Sequence, residues 1–170
     1  MAVCLLRRRS GHGQQNGDGG GKLGTLANEP LYERDFYAWA LEQAALLRAG
    51  RFSSLDIENI AEEIESMGRS ENNELINRLA VLLTHLLKWQ YQSGFQGRSW
   101  TQTIAEQRRR LTRHLKENPS LKSRLEEDVA EGYEQALSEA VRETGLPRKT
   151  FPPQCPYTFA QMLDGDFWPE

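Results

Sequence analysis

An all-α fold follows from three features of this chain of 170 residues. Apolar residues recur at helical spacing through most of its length, no stretch alternates with period two for long enough to make a strand, and Gly, Pro and Ser/Asp punctuation cuts the periodic stretches into helix-sized pieces. The expected architecture is a single-domain antiparallel bundle of about five helices over residues 29–170, closed by a short C-terminal helical turn. Its centre is Glu71–Tyr91, ENNELINRLAVLLTHLLKWQY. Leu75, Leu79, Leu82 and Leu86 fall on one helical face, and Ile76, Leu83 and Leu87 widen it to almost half the circumference. A face that broad needs neighbours on two sides.

The elements follow in order. Half of the glycines lie between Gly11 and Gly24, with almost nothing apolar among them, so residues 1–28 read as a disordered, glycine-rich tail. Gly19-Gly20-Gly21-Lys22 lacks both the spacing of a phosphate loop and a preceding strand, and is read as linker. The first helix is expected from Pro30 to Ala49, with Phe36, Ala40, Ala44 and Leu47 as its buried stripe, Trp39 beside them and Gly50 as its stop. Ser53-Ser54-Leu55-Asp56 reads as a capping box opening a second helix, whose Ile57, Ile60, Ile64 and Met67 would face the core. Gly68 is expected to break it, and the central helix then returns antiparallel. Ser99-Trp100-Thr101-Gln102 reads as a second capping box for a helix burying Trp100, Ile104, Leu111 and Leu115. Asn118-Pro119 would end that helix and start another, with Leu121, Leu125, Val129, Tyr133, Ala136, Ala140 and Val141 on its buried face until Gly145. Beyond Arg148 the chain is proline-bound and extended, with one helical turn near Phe159–Leu163. Phe167-Trp168-Pro169 is expected to tuck against the bundle.

Charged residues make up 26% of the chain and the net charge is only -3, so composition points neither to a general nucleic-acid binder nor to a membrane-surface protein. Cys4 and Cys155 have no metal-type spacing, no apolar run approaches the length of a membrane span, and the start lacks the order of an export signal. A cytoplasmic location is expected.

The segments LYERDFYAW, LDIENIAEEIESMG, LLTHLLKWQYQ, SWTQTI, NPSL and CPYTFAQMLDGDFWP, in this order over about residues 30–170, resemble the bacterial, mostly cyanobacterial, family called domain of unknown function 29. The resemblance implies a small helical bundle and brings no catalytic residue with it.

Three constellations could carry function. Asp56 and Glu63 lie on a polar edge of the second helix and His85 beside the leucine stripe of the third. With the two helices antiparallel, Asp56 would approach the level of His85. A carboxylate beside an imidazole suits general acid/base work in a hydrolase, and the same atoms could ligate a divalent metal. The structural alternative has Asp56 capping its helix and His85 hydrogen-bonding at the bundle edge. Second, Arg108, Arg109, Arg110 and Arg113 form a basic helix that could meet nucleic acid or another polyanion. Consecutive arginines fan over about 200° of the helical wheel, so they cannot all hide against neighbours. Third, charge is segregated: Asp56, Glu58, Glu62, Glu63 and Glu65 have no Lys or Arg among them, against the basic helix further on. Without a complete catalytic set, that segregation favours a non-enzymatic module that docks another protein or a second copy of itself. Trp89 and Trp100 read as core rather than ligand-stacking residues, and Cys155 has no histidine beside it.

Overall fold

The computed structural model describes residues 29–170; the glycine-rich tail over 1–28 lies outside the described residues. These residues contain helices and short 3-10 turns and no strand. They fall into two compact units, one ending at Asn59 and the other Ile60–Glu170.

In the first unit the single helix expected from Pro30 is two: α1, Leu31–Arg34, and α2, Phe36–Arg48. Asp35 divides them. Its backbone leaves the helical region (φ -149°, ψ 85°) and its carboxylate accepts from the Ala38 amide at 3.0 Å, an N-cap that starts α2 afresh. Trp39 and Gln43 are the buried residues of α2, one turn apart, whereas Leu47 of the expected stripe is exposed. The apolar centre is aromatic: Trp39 packs on Tyr32 and Phe36 at ring-centroid distances of 4.8 and 5.4 Å. Gly50, at φ 68°, takes the chain out of the helix in a left-handed conformation that favours glycine. Phe52–Ser54 is a 3-10 turn, so Ser53 caps nothing.

The largest departure from expectation is α3, Ile57–Tyr91, one uninterrupted helix of 35 residues. The break expected at Gly68 does not occur. Glycine in a helix costs about 1 kcal/mol relative to alanine, less than is lost when a running hydrogen-bond ladder is opened, and here no proline or left-handed turn helps the chain to leave. The helix has two characters. From Ile57 to Glu74 no residue is buried, and Ile57, Ile64 and Met67, expected in the core, are 65, 63 and 68% exposed. From Leu75 onward, all seven expected leucine and isoleucine positions are buried.

Two helices of the second unit pack on that latter half: α4, Arg98–Glu117, and α5, Leu125–Thr144. Helix α4 runs antiparallel to α3, since His114 meets the Glu71 carbonyl and Lys88 meets Trp100. Helix α5 runs parallel to α3, with Asn72 on Asp128 at one end and Lys88 on Glu143 at the other. The two helices approach closely at Gly132, where a β-carbon would stand 3.0 Å from Leu79 Cβ and 3.2 Å from the Ile76 carbonyl oxygen. Gly132, Ala136 and Ala140 are buried one turn apart and form the small-residue ridge that admits α3. Helix α4 begins at Arg98, after Gly97, so the capping box expected at Ser99 lies inside the helix and is not used. Asn118 ends α4, and Pro119–Arg124 is a 3-10 segment rather than the first turns of α5.

The C-terminal stretch crosses this bundle. Phe151, Tyr157 and Met162 are buried, and α6, Phe159–Leu163, opens on a true capping box between Thr158 and Gln161. Tyr133 donates to the Pro152 carbonyl at 2.9 Å and Tyr157 to Gln90 Oε1 at 2.8 Å. Burial pushes the pKa of both phenols up, so they act as donors. Trp168 packs on Trp89, ring centroids 4.5 Å apart, as expected of the aromatic end.

Candidate functional site

Asp56 is a structural hub of the first unit. It stands one residue before α3 and accepts from the Asn59 amide at 3.4 Å, Asn59 Nδ2 at 2.7 Å and Trp39 Nε1 at 3.1 Å. Its own amide donates to Gln43 Oε1 at 2.9 Å. The Asn59 side-chain bond lowers its pKa most, with help from Trp39 and the Asn59 amide and against partial burial. An acid held ionised by so many donors is a helix cap, not a proton shuttle.

His85, on α3, points Nδ1 at the Val81 carbonyl at 2.9 Å. A carbonyl can only accept, so Nδ1 carries the hydrogen. Burial lowers the ring's pKa most and Lys88 lowers it further, while the Val81 bond and Glu143 oppose them. Asp56 is thus bound by donors of its own unit, and His85 by a carbonyl of its own helix. The hairpin that would have brought Asp56 level with His85 is absent, because α3 never turns back. Glu63 and His85 stand on the same helix 22 residues apart, roughly 33 Å by helical rise. Among the described residues no group of three or more His, Cys, Asp and Glu is placed to hold a metal ion.

The basic helix also resolves differently from its sequence. Arg108 is 5% exposed, and its guanidinium donates to the carbonyls of Met162, Gly165 and Phe167 at 2.9, 3.2 and 2.7 Å. It lies 5.4 Å from the centre of the Trp168 ring. Burial lowers its pKa, opposed by Asp164. One of the three consecutive arginines therefore does hide, because a planar fork of donors can gather several carbonyls at once. Arg109 and Arg110 both pair with Glu106, and Arg113 lies 3.7 Å from Glu117. Of the four arginines expected to form a polyanion surface, Arg108 is buried and the other three stay at the surface beside Glu106 and Glu117.

Sequence reasoning missed two polar pairs, each with one buried member. Lys88 is buried, paired with Glu143 of α5, with its ammonium 4.7 Å above the Trp100 ring of α4. Asp128, 1% exposed, accepts from Asn72 Nδ2 at 3.2 Å, while Asp128 Oδ2 and Asn72 Oδ1 have no donor among the described residues. A signal existed for the second pair: Asn72 falls on the leucine arc of α3, and Asp128 sits one turn before Gly132 on the small-residue ridge of α5.

What the structure exposes differs from what it buries. The first half of α3 carries Ile64 and Met67 to solvent, with Ile60 half-buried and Glu58, Glu62 and Glu65 alongside. At the end of α4 a groove of about 440 Å³ has Leu115, Pro119, Phe159 and Leu163 as apolar walls and Lys116 and Lys122 at its edge.

Residues 31–168 match the family described as domain of unknown function DUF29. The chain belongs to this family. No curated protein and no solved structure matches it. The DUF29 match takes in every helix described above, including the exposed half of α3. Among the described residues no helix is long and apolar enough to cross a membrane.

Proposed function

We propose that this DUF29 chain is a protein-interaction module that docks a basic, apolar segment on the first half of α3. One observation carries the proposal: an amphipathic helix continues from the core into 18 residues, Ile57 to Glu74, none of which is buried, yet keeps a large-apolar stripe there. Isolated exposed apolar residues are ordinary, but a stripe with helical period bordered by acids is the form of a docking face. Glu62 stands beside it and, among the described residues, makes no ion pair, so a partner bearing Lys or Arg beside apolar anchors is the complementary one.

The test is fluorescence anisotropy with a synthetic amphipathic helix carrying leucine anchors and lysine flanks, read at low and high salt. The expected result is saturable binding that weakens with salt and falls at least about tenfold, or about 1.4 kcal/mol, in Ile64→Asp/Met67→Asp. Binding unchanged in that double variant, or no binding at any salt, overturns the reading.

A further inference from the structure

The acidic stripe has a complement within the same chain. The groove beside α4 joins apolar walls, Leu115, Phe159 and Leu163, to Lys116 and Lys122. Both lysines are exposed and, among the described residues, neither makes an ion pair. The nearby cations are otherwise engaged: Arg109 and Arg110 hold Glu106, Arg113 lies near Glu117, and Arg124 pairs with Glu127. Two uncommitted lysines over an apolar floor fit a ligand that is apolar on one side and acidic along its edge. The segment Ile60–Ser70 answers that description, with Ile64 and Met67 exposed and Glu62 and Glu65 beside them, Glu65 also 3.4 Å from Arg69 of its own helix.

Both features belong to the second unit and to the same end of its bundle. The bond from His114 to the Glu71 carbonyl places the last turn of α4 alongside Glu71, and the groove is built on that turn. The acidic stripe occupies the residues of α3 just before Glu71. Stripe and groove at one end of a molecule allow a twofold exchange, in which each copy's stripe enters the other's groove. Exchange closes the assembly and doubles a contact that would be small taken singly against the roughly 1,200–2,000 Å² of a stable interface.

We infer that the occupant of the Lys116/Lys122 groove is the Ile60–Ser70 segment of a second copy of this chain, giving a closed, reciprocal dimer. The inference rests on the reading of the α3 stripe as a docking face and names its partner.

Charge exchange tests it. Sedimentation velocity over a wide concentration range is run on the full chain, on Lys116→Glu/Lys122→Glu, on Glu62→Lys/Glu65→Lys, and on an equimolar mixture of the two variants. The expected results are a reversible wild-type dimer, dissociation constants raised at least about tenfold in each variant alone, and a dimer restored in the mixture. All four residues are exposed, and unchanged far-ultraviolet circular dichroism checks that the variants fold. Should the reversals disturb folding, Lys116→Gln/Lys122→Gln gives the same readout with a smaller change. A wild type that stays monomeric, a dimer that neither reversal weakens, or a mixture that fails to reassociate overturns the inference. A monomer that still binds the basic peptide on Ile64 and Met67 leaves the proposed function standing while this inference falls. A dimer with no peptide binding and no response to Ile64→Asp/Met67→Asp removes both.

Discussion

Asp128 shows how much one buried atom can reveal. Its side chain shares one hydrogen bond with Asn72, and two acceptor oxygens, one on each residue, face the interior without a donor among the described residues. Leaving such a group unsatisfied costs about 1–3 kcal/mol. An amide in place of the carboxylate would supply the missing donor to Asn72 Oδ1 and keep the bond that exists. Asp128→Asn is therefore expected to stabilise the chain by about 1 kcal/mol, after some loss of the favourable charge near the start of α5. Asp128→Ala, which removes the partner of Asn72 instead, should destabilise it. Urea unfolding of the two variants separates the cases, and a loss of stability in Asp128→Asn would show that this acid has a role the hydrogen-bond count does not include. Asn72 and Asp128 were each legible as polar residues on otherwise apolar or small-residue arcs. That they meet each other was not, because helical periodicity gives a face and never the identity of what lies across it.

At the scale of elements, two glycines in similar helical surroundings take opposite roles. Gly68 lies in α3 with nothing within 4 Å of an added β-carbon. Gly68→Ala should raise stability by about 0.5–1 kcal/mol, since only backbone entropy and helix propensity change. Gly132 lies where α5 meets α3 and has Leu79 and Ile76 in the way. Gly132→Ala should cost about 1–3 kcal/mol by overpacking. Denaturation midpoints for the pair give the comparison, and a destabilising Gly68→Ala would mean that α3 bends or opens there. The expectation of a break at Gly68 failed for a reason visible in the same numbers. Glycine weakens a helix without ending it, and it ends one only where the chain needs φ > 0, as at Gly50 and Gly145. Helix boundaries set by side-chain capping were also misjudged: Ser53 and Ser99 carry the right pattern, but Asp56 and Gly97 stand at the observed starts.

For the whole molecule, Arg108 ties the C-terminal segment to α4. Its three bonds run to backbone carbonyls of residues that follow it by more than 50 positions. Arg108→Met keeps most of the volume and removes the donors. The expected cost is about 2 kcal/mol, from charge-assisted bonds lost and carbonyls left partly buried without partners. The segment should also loosen in a way that Trp168 reports: a red-shifted tryptophan emission and early proteolytic cutting after Thr150. Unchanged emission and protease resistance would assign the segment's stability to Phe151, Tyr157 and Met162 alone.

The sequence by itself determined the helical class, the family, the leucine core of α3, the buried face of α5 and the docking of the aromatic end. All of these rest on periodicity and on the cost of leaving apolar surface in water, which act locally and repeat along the chain. Only the tertiary structure decided which polar residues are spent inside. Arg108 gathers distant carbonyls, Asp56 is a cap, Lys88 pairs across helices, and Ile64 and Met67 face outward although their spacing is that of a core. A stripe's period records that a face is apolar, whereas burial depends on whether another surface is there to cover it.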